Sequence, residues 1–325
     1  MNIETKIVSK VLVLDSNTEC YDRIKDFCET SNLVGLKVQP DNIMSVLKSN
    51  VDLGAILLSE DYLDNSRGGV KLAREIHEIR PDLPIFLRRE SSDSLDDLFG
   101  KDRKPFSAAY TINDISKLHR AVDEFIFSLV YPNGLVRGIT ELTKTALVSQ
   151  FKGMEVESAA PYIVRDRIIF GEIFTLIPIE GSWCRGYMML QAEEQSLLRL
   201  VKADKTHVDA ESADDFRNLN NVLGEITNLI WGAFKNKYIN YAENNANLGQ
   251  VPLVINHLHR YISFGSENPQ LCFKYTLLDS GSNNEESMVI YQRFVFNLSW
   301  SPEDFKENQI STVDELFDSG ELELF

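Results

Sequence analysis

The chain has 325 residues, 43% of them apolar and 25% charged, the composition of a soluble globular protein. Its formal net charge of −16 argues against sequence-independent nucleic-acid binding and against an anionic membrane surface, both of which need a basic face. At this length two domains are the default. No apolar run reaches the roughly 20 residues that span a bilayer, and residues 1–6 are polar, unlike a secretory signal, so a cytoplasmic location is expected.

Residues 7–15 form a short apolar strand pattern that ends in an acid, Asp15. Apolar strand-like runs follow at 36–38, 55–58, 85–87 and 108–111, with helical patterns between them, clearest at 70–79 and 115–129. Such alternation implies a doubly wound parallel sheet whose site would lie at the carboxyl ends of its strands. From residue 8 to about 128 the pattern resembles a response-regulator receiver domain. That resemblance implies two acids after the first strand, a phosphorylated Asp ending the third, a hydroxyl residue ending the fourth and a Lys near the fifth. Here Asp15 is followed by Ser16, Ser59 stands where the phosphorylated Asp belongs, Arg88 and Arg89 replace the hydroxyl residue, and residues 110–113 offer no Lys. Phosphoryl transfer needs acceptor, metal and cation together. The expectation is a flavodoxin-like pseudo-receiver with a degenerate site at Asp15, Ser16 and Ser59. An alternative alignment would give the acceptor role to Glu60 or Asp61 and make this half a phospho-switch.

Turn residues at 130–134 mark a linker. Beyond it, helical patterns cover 136–151, 193–201 and 214–236, and strand patterns cover 162–169, 172–179, 186–190, 251–257, 271–278 and 288–296. Long strands with two or three helices indicate an α+β layered domain over 135–300. Cys20, Cys28, Cys184 and Cys272 are scattered and carry no CxxC pair, so they read as reduced core thiols. His257 and His259 share one face of a strand pattern, but nothing completes a metal site around them.

The helix of 214–236 carries two stripes. Phe216, Leu219, Leu223, Ile226, Ile230 and Ala233 recur at spacings of three and four and predict a buried face. Asn221, Glu225, Asn228 and Gly232 recur at the same spacing on the opposite side of the wheel. Asn and Gly cost roughly 0.5 and 1 kcal/mol in a helix interior relative to Ala, so their presence asks for a reason. Glu-x-x-Asn-x-x-x-Gly on an amphipathic helix, with Pro252 downstream, resembles the signature of the CheC/CheX/FliY phosphatases, which dephosphorylate the aspartyl phosphate of chemotaxis-type receivers. The family motif opens with Asp or Ser where this chain has Asn221. Glu29 and Asn32 repeat the bare spacing elsewhere. In the 136–151 helix, Glu141 is followed three residues later by Lys144, which lacks an amide, and Glu141 reads as a surface acid.

The resemblance covers about residues 135–300. It implies an α/β doubly wound pseudo-receiver followed by an α+β CheX/CheC-like domain with one catalytic helix. Asn228 would orient the attacking water and Glu225 would pair with the partner's Lys. Asn221 and Gly232 would meet the partner, and magnesium would arrive on the partner receiver, leaving no cofactor on this chain. The expected partner is a phosphorylated CheY-like receiver, and the family resemblance also suggests a homodimer. The alternative is a non-catalytic adaptor that binds receivers through both domains.

After Trp300 the sequence turns acidic. Ser311 or Thr312 could cap a short helix with Val313, Leu316 and Phe317 as its apolar stripe. This segment resembles those with which chemotaxis phosphatases and flagellar switch proteins grip CheY-type receivers, so Leu316 and Phe317 are candidate partner contacts. The other reading is a tail packed on its own domain.

Overall fold

The computed structural model describes residues 6–49, 52–63, 67–207, 215–239, 251–256, 261–264, 268–279 and 287–308. Its first half contains β1 (Val8–Leu14), α1 (Thr18–Thr30), β2 (Leu33–Leu36), α2 (Ile43–Leu47), β3 (Ala55–Ser59), α3 (Gly68–Ile79), β4 (Ile85–Arg89), β5 (Phe106–Thr111) and α4 (Ser116–Phe125). The strands pair in parallel in the order β2-β1-β3-β4-β5, the flavodoxin-like winding. β3 and β4 are buried along their whole length because helices cover both faces. Alternation divides the side chains: Val11, Val13, Ala55 and Leu57 meet α1 and α4 on one face, and Leu12, Leu14, Ile56 and Leu58 meet α2 and α3 on the other. Asn17 caps α1, its Oδ1 accepting from the backbone N–H of Glu19 (3.0 Å) and Cys20 (3.2 Å). The strict strand–helix alternation fails once. Residues 90–105 run as turns with no helix between β4 and β5, with Ser92 and Ser94 hydroxyls accepting from backbone two residues on.

The second half contains α5 (Asn133–Gln150), β6 (Met154–Ser158), β7 (Tyr162–Val164), β8 (Ile168–Phe170), β9 (Ile173–Glu180), β10 (Cys184–Ala192), α6 (Glu194–Lys202), α7 (Asp215–Tyr238), β11 (Leu253–Asn256), β12 (Tyr261–Ser263), β13 (Gln270–Asp279) and β14 (Ser287–Trp300). An antiparallel sheet runs β11-β9-β10-β14-β13, with β6 and β7 both on the far edge of β13. The strand expected over 162–169 is two strands, β7 and β8. Asp166 breaks it by accepting the Ile168 N–H on Oδ1 at 2.8 Å, and β8 then pairs with β12 in a separate ribbon. Residues 133 and 134 of the expected linker begin α5, and Tyr131 is buried, its hydroxyl donating to the Pro269 carbonyl at 3.1 Å. His257 and His259 lie outside the described residues. All four cysteines are buried and form no disulfide, and burial pushes the Cys184 and Cys272 thiols up to about 12.

The halves share one sheet. Val8 and Ser9 of β1 pair in parallel with Tyr162 and Ile163 of β7, while Val11–Leu14 pair with β3, so β7 and β3 follow each other along one edge of β1. The result is a mixed twelve-stranded sheet, and one apolar cluster runs from Val11 and Leu57 to Phe294 and Phe296. Ion pairs cross the junction, two of them buried. Asp52, just before β3, accepts from the Tyr162 hydroxyl at 2.6 Å and pairs with Arg293 of β14. Arg80 pairs with Asp166, and Arg167 holds Asp82 through two hydrogen bonds of 2.8 and 2.9 Å. Burial pushes Asp52 up, but the Arg293 charge and the Tyr162 hydrogen bond outweigh it and hold the carboxyl below the ordinary carboxylate range.

Removing one member of a buried ion pair strands the other, at about 3–5 kcal/mol. Asp52→Asn is therefore expected to lower stability by about 3 kcal/mol at pH 7, read by urea denaturation. Because the folded value of Asp52 lies below the unfolded one, roughly 3.9, its contribution is complete above that value and vanishes as pH falls through the folded one. The gap between variant and wild type should accordingly narrow below about pH 4. Equal stability at pH 7 would mean that the pair is dispensable.

Candidate functional site

α7 is a 24-residue helix laid on the sheet through Leu219, Val222, Leu223, Ile226, Ile230, Trp231 and Phe234, all buried. Thr227 adds a buried polar anchor, its hydroxyl bonding the Leu223 carbonyl (2.7 Å) and the Thr175 hydroxyl of β9 (2.6 Å). Phe234 packs against Phe294 of β14 at 5.6 Å, and α5 crosses α7 so closely that a Cβ on Gly138 would lie 1.6 Å from the Tyr238 hydroxyl. The carbonyls at the end of α7 are satisfied from outside the helix. Trp183 Nε1 donates to Tyr238, the Asn308 backbone to Lys237, and the Asn308 side chain to Asn236 and Ile239. Two expected core residues differ: Phe216 is 44% exposed and Ala233 half-buried, and Val222 and Trp231 join the buried stripe instead.

The opposite face is open. Asn221, Glu225 and Asn228 are exposed and border a cleft of about 660 Å³ together with Asn220 and Gly224. Across it stand Gln150, His207 and the segment from Val251 to Val254, which includes Pro252. Four residues singled out from the sequence, Asn221, Glu225, Asn228 and Pro252, thus meet at one place. Gly232 lies one turn beyond, outside the cleft, with open space where a Cβ would project. Leu316 and Phe317 lie outside the described residues. Glu141 is exposed on α5 beside Arg137 at 3.7 Å, and Asn32 follows the end of α1 in a left-handed conformation, so Glu29 and Asn32 share no helix face. Sequence reasoning passed over Gln150, His207 and Asn220. Asn220 adjoins the motif and its buried Oδ1 has no hydrogen-bond partner among the described residues. Gln150 and His207 become neighbours only through a tertiary ladder, Phe151 bridging Thr206 and the His207 N–H donating to the Gln150 carbonyl at 3.0 Å.

The carboxyl ends of β1, β3 and β4 converge on a different arrangement. Arg88 donates to both oxygens of Asp15, to the Ser59 hydroxyl at 2.9 Å and to Glu90 at 2.6 Å. Asp15 and Ser59 are buried beneath it and Ser16 is exposed. The guanidinium already neutralises Asp15 and fills the space between it and Ser59. Glu60 is held by Arg89 through bonds of 3.0 and 3.1 Å, and Arg89 also grips Asp97, whose carboxyl it holds down at about 2. Among the described residues no group of acids, histidines or cysteines could hold a metal ion. Incubated with acetyl phosphate and magnesium, the chain is expected to gain no phosphoryl mass in its first half by intact-mass measurement. Stoichiometric acid-labile phosphate on Glu60 or Asp61 would contradict this.

No family model matches the chain, and no curated protein matches it. Among solved structures it is similar to a chemotactic CheC-like protein from Shewanella oneidensis, at 17% identity over 49% of this chain and 92% of that one, TM-score 0.32. It is similar to the chemotaxis protein CheX from Vibrio vulnificus at 20% identity, over 49% and 97%, TM-score 0.33. A CheY-like response regulator receiver domain protein from Methanospirillum hungatei aligns at 16% identity over 36% and 95%, TM-score 0.30. Each likeness is one of fold alone.

Proposed function

We propose that the chain is a phosphatase that hydrolyses the aspartyl phosphate of a CheY-like response regulator. The observation that carries this reading is the placement of Glu225 and Asn228, one turn apart and exposed, on the face of α7 that borders the open polar cleft. An acyl phosphate is already activated, so its hydrolysis depends on holding a water in line with the P–O bond. A carboxamide can both donate to and accept from that water, and Asn228 takes this role. The water oxygen bonds to phosphorus, the bond to the aspartyl oxygen breaks, the carboxylate leaves with the electron pair, and both of the water's protons end on phosphate. Glu225 pairs with the partner's Lys and sets the register of α7. Asn221 meets the partner beside it, and the bare surface at Gly232 admits its backbone. Magnesium belongs to the partner.

Asn228→Ala should lower kcat for phosphate release by about 10²-fold through loss of the water's position. Its stability should change by less than about 0.5 kcal/mol, since the side chain is exposed. Glu225→Ala should raise KM, and Glu225→Lys should raise it further. Full turnover in both Asn228→Ala and Glu225→Ala, with a responsive receiver, would overturn the mechanism. Receiver binding without faster phosphate release would favour a non-catalytic adaptor, a reading to which the Arg88-filled pocket of the first half lends support.

The tail belongs to the same proposal. Phe305 packs on Trp183 and Tyr238 (5.1 and 5.4 Å), and Asn308 is bonded to the end of α7, so the chain leaves the described structure beside the proposed catalytic helix. Residues 311–325 would tether the receiver there through Leu316 and Phe317 and raise its effective concentration. Truncation after Asn308 keeps the Phe305 anchor. It should raise KM with kcat and melting temperature unchanged, whereas a fall in melting temperature with unchanged KM would show a tail packed on its own domain.

A further inference from the structure

The charge on the walls of the cleft is unfavourable for the reaction proposed there. A phosphorylated side chain carries about −1.5 to −2 charges near neutral pH. It would enter a chain of net charge −16 at a place where α7 already presents the Glu225 carboxylate. The described lining residues include no Lys or Arg. The lysines nearest in sequence are engaged with acids: Lys152 with Asp204 at 2.9 Å, Lys202 with Asp215 at 2.9 Å and Lys205 with Asp279 at 3.2 Å. His207 is the histidine among the described lining residues, and an imidazole N–H can donate a hydrogen bond to a phosphoryl oxygen.

His207 is held in place by backbone. The Lys152 N–H donates to the Lys205 carbonyl at 2.8 Å and the His207 N–H to the Gln150 carbonyl at 3.0 Å, on either side of the Phe151–Thr206 bridge. Phe151 and Thr206 are buried at 1% and 2% exposure, so alternation turns their neighbours Gln150 and His207 outward, to the cleft. We infer that His207 is the anion-binding residue of this cleft: it receives the phosphoryl group of the substrate and the phosphate released. The inference rests on the phosphatase reading for its substrate, and on the geometry of the 150–152 and 205–207 ladder for its site.

Two measurements on the full chain test it. In the first, inorganic phosphate is titrated while the imidazole signals of His207, assigned by their loss in His207→Gln, are followed by NMR. A saturable shift that sodium chloride does not reproduce is expected, and Glu225→Gln should tighten phosphate binding several-fold by removing the opposing charge. No shift, the same shift with chloride, or indifference to Glu225→Gln would overturn the inference. In the second, His207→Ala and His207→Gln are expected to raise KM for a phosphorylated receiver by about tenfold or more, the worth of one charge-assisted hydrogen bond, with kcat unchanged. His207→Lys should keep KM near wild type. An unchanged KM in His207→Ala would contradict the assignment, as would a KM in His207→Lys as high as in His207→Gln. Absence of phosphate release from any receiver by the wild-type chain is instead the failure of the phosphatase reading, and the phosphate titration then decides the role of His207 by itself.

Discussion

The pairing of β1 with β7, sealed by the buried Asp52–Arg293 ion pair, is the constraint on which the rest of the structure depends. Desolvating two charges is costly, and only their mutual attraction and further hydrogen bonds recover it. Here Tyr162 bonds Asp52, and Arg293 reaches Gln270 and the Cys272 sulfur. Arg293 also sits in β14 between Gln292 and Phe294, whose side chains project to the other face of the sheet. Gln292 accepts from Thr143 of α5, and Phe294 packs on Phe234 of α7. A charge supplied by the first half thus fixes the strand on which the helix of the candidate site lies.

The first half has a flavodoxin-like winding whose strand ends are already filled. Its strand ends are occupied by arginines already bonded to the polar groups nearby: Arg88 to Asp15 and Ser59, Arg89 to Glu60 and Asp97. A guanidinium in that position is permanently charged and needs no metal to balance Asp15. The second half leaves its polar helix face open, with a carboxylate, four carboxamides and a histidine around one cleft. The structural division of labour is between a closed, self-neutralised half and one with an accessible polar site.

Much of this was legible in the sequence, for physical reasons that differ by element. β1, β3 and β4 are short apolar runs because both faces of a parallel sheet are covered, and their parallel order follows from the helices between them. The two stripes of α7 were visible because one face must be buried and the other carries residues that a helix otherwise disfavours. Local signals misled where tertiary position decided. Phe216 matches the apolar spacing, but it is 44% exposed. The run 162–169 reads as one strand, yet Asp166 bonds its own backbone and turns the chain. Asp52 and Arg293 are 241 residues apart, and Gln150 and His207 meet only through the Phe151–Thr206 bridge. No periodicity records such meetings.

The most direct test of the central claim follows the oxygen of the attacking water. A phosphorylated receiver is mixed with the chain in ¹⁸O-labelled water, and the rate and label distribution are read by mass spectrometry. Attack on phosphorus by a water held at Asn228 predicts accelerated release, with one ¹⁸O in the inorganic phosphate and none in the receiver's aspartate. An unchanged rate, or label in the aspartyl carboxylate, would contradict it.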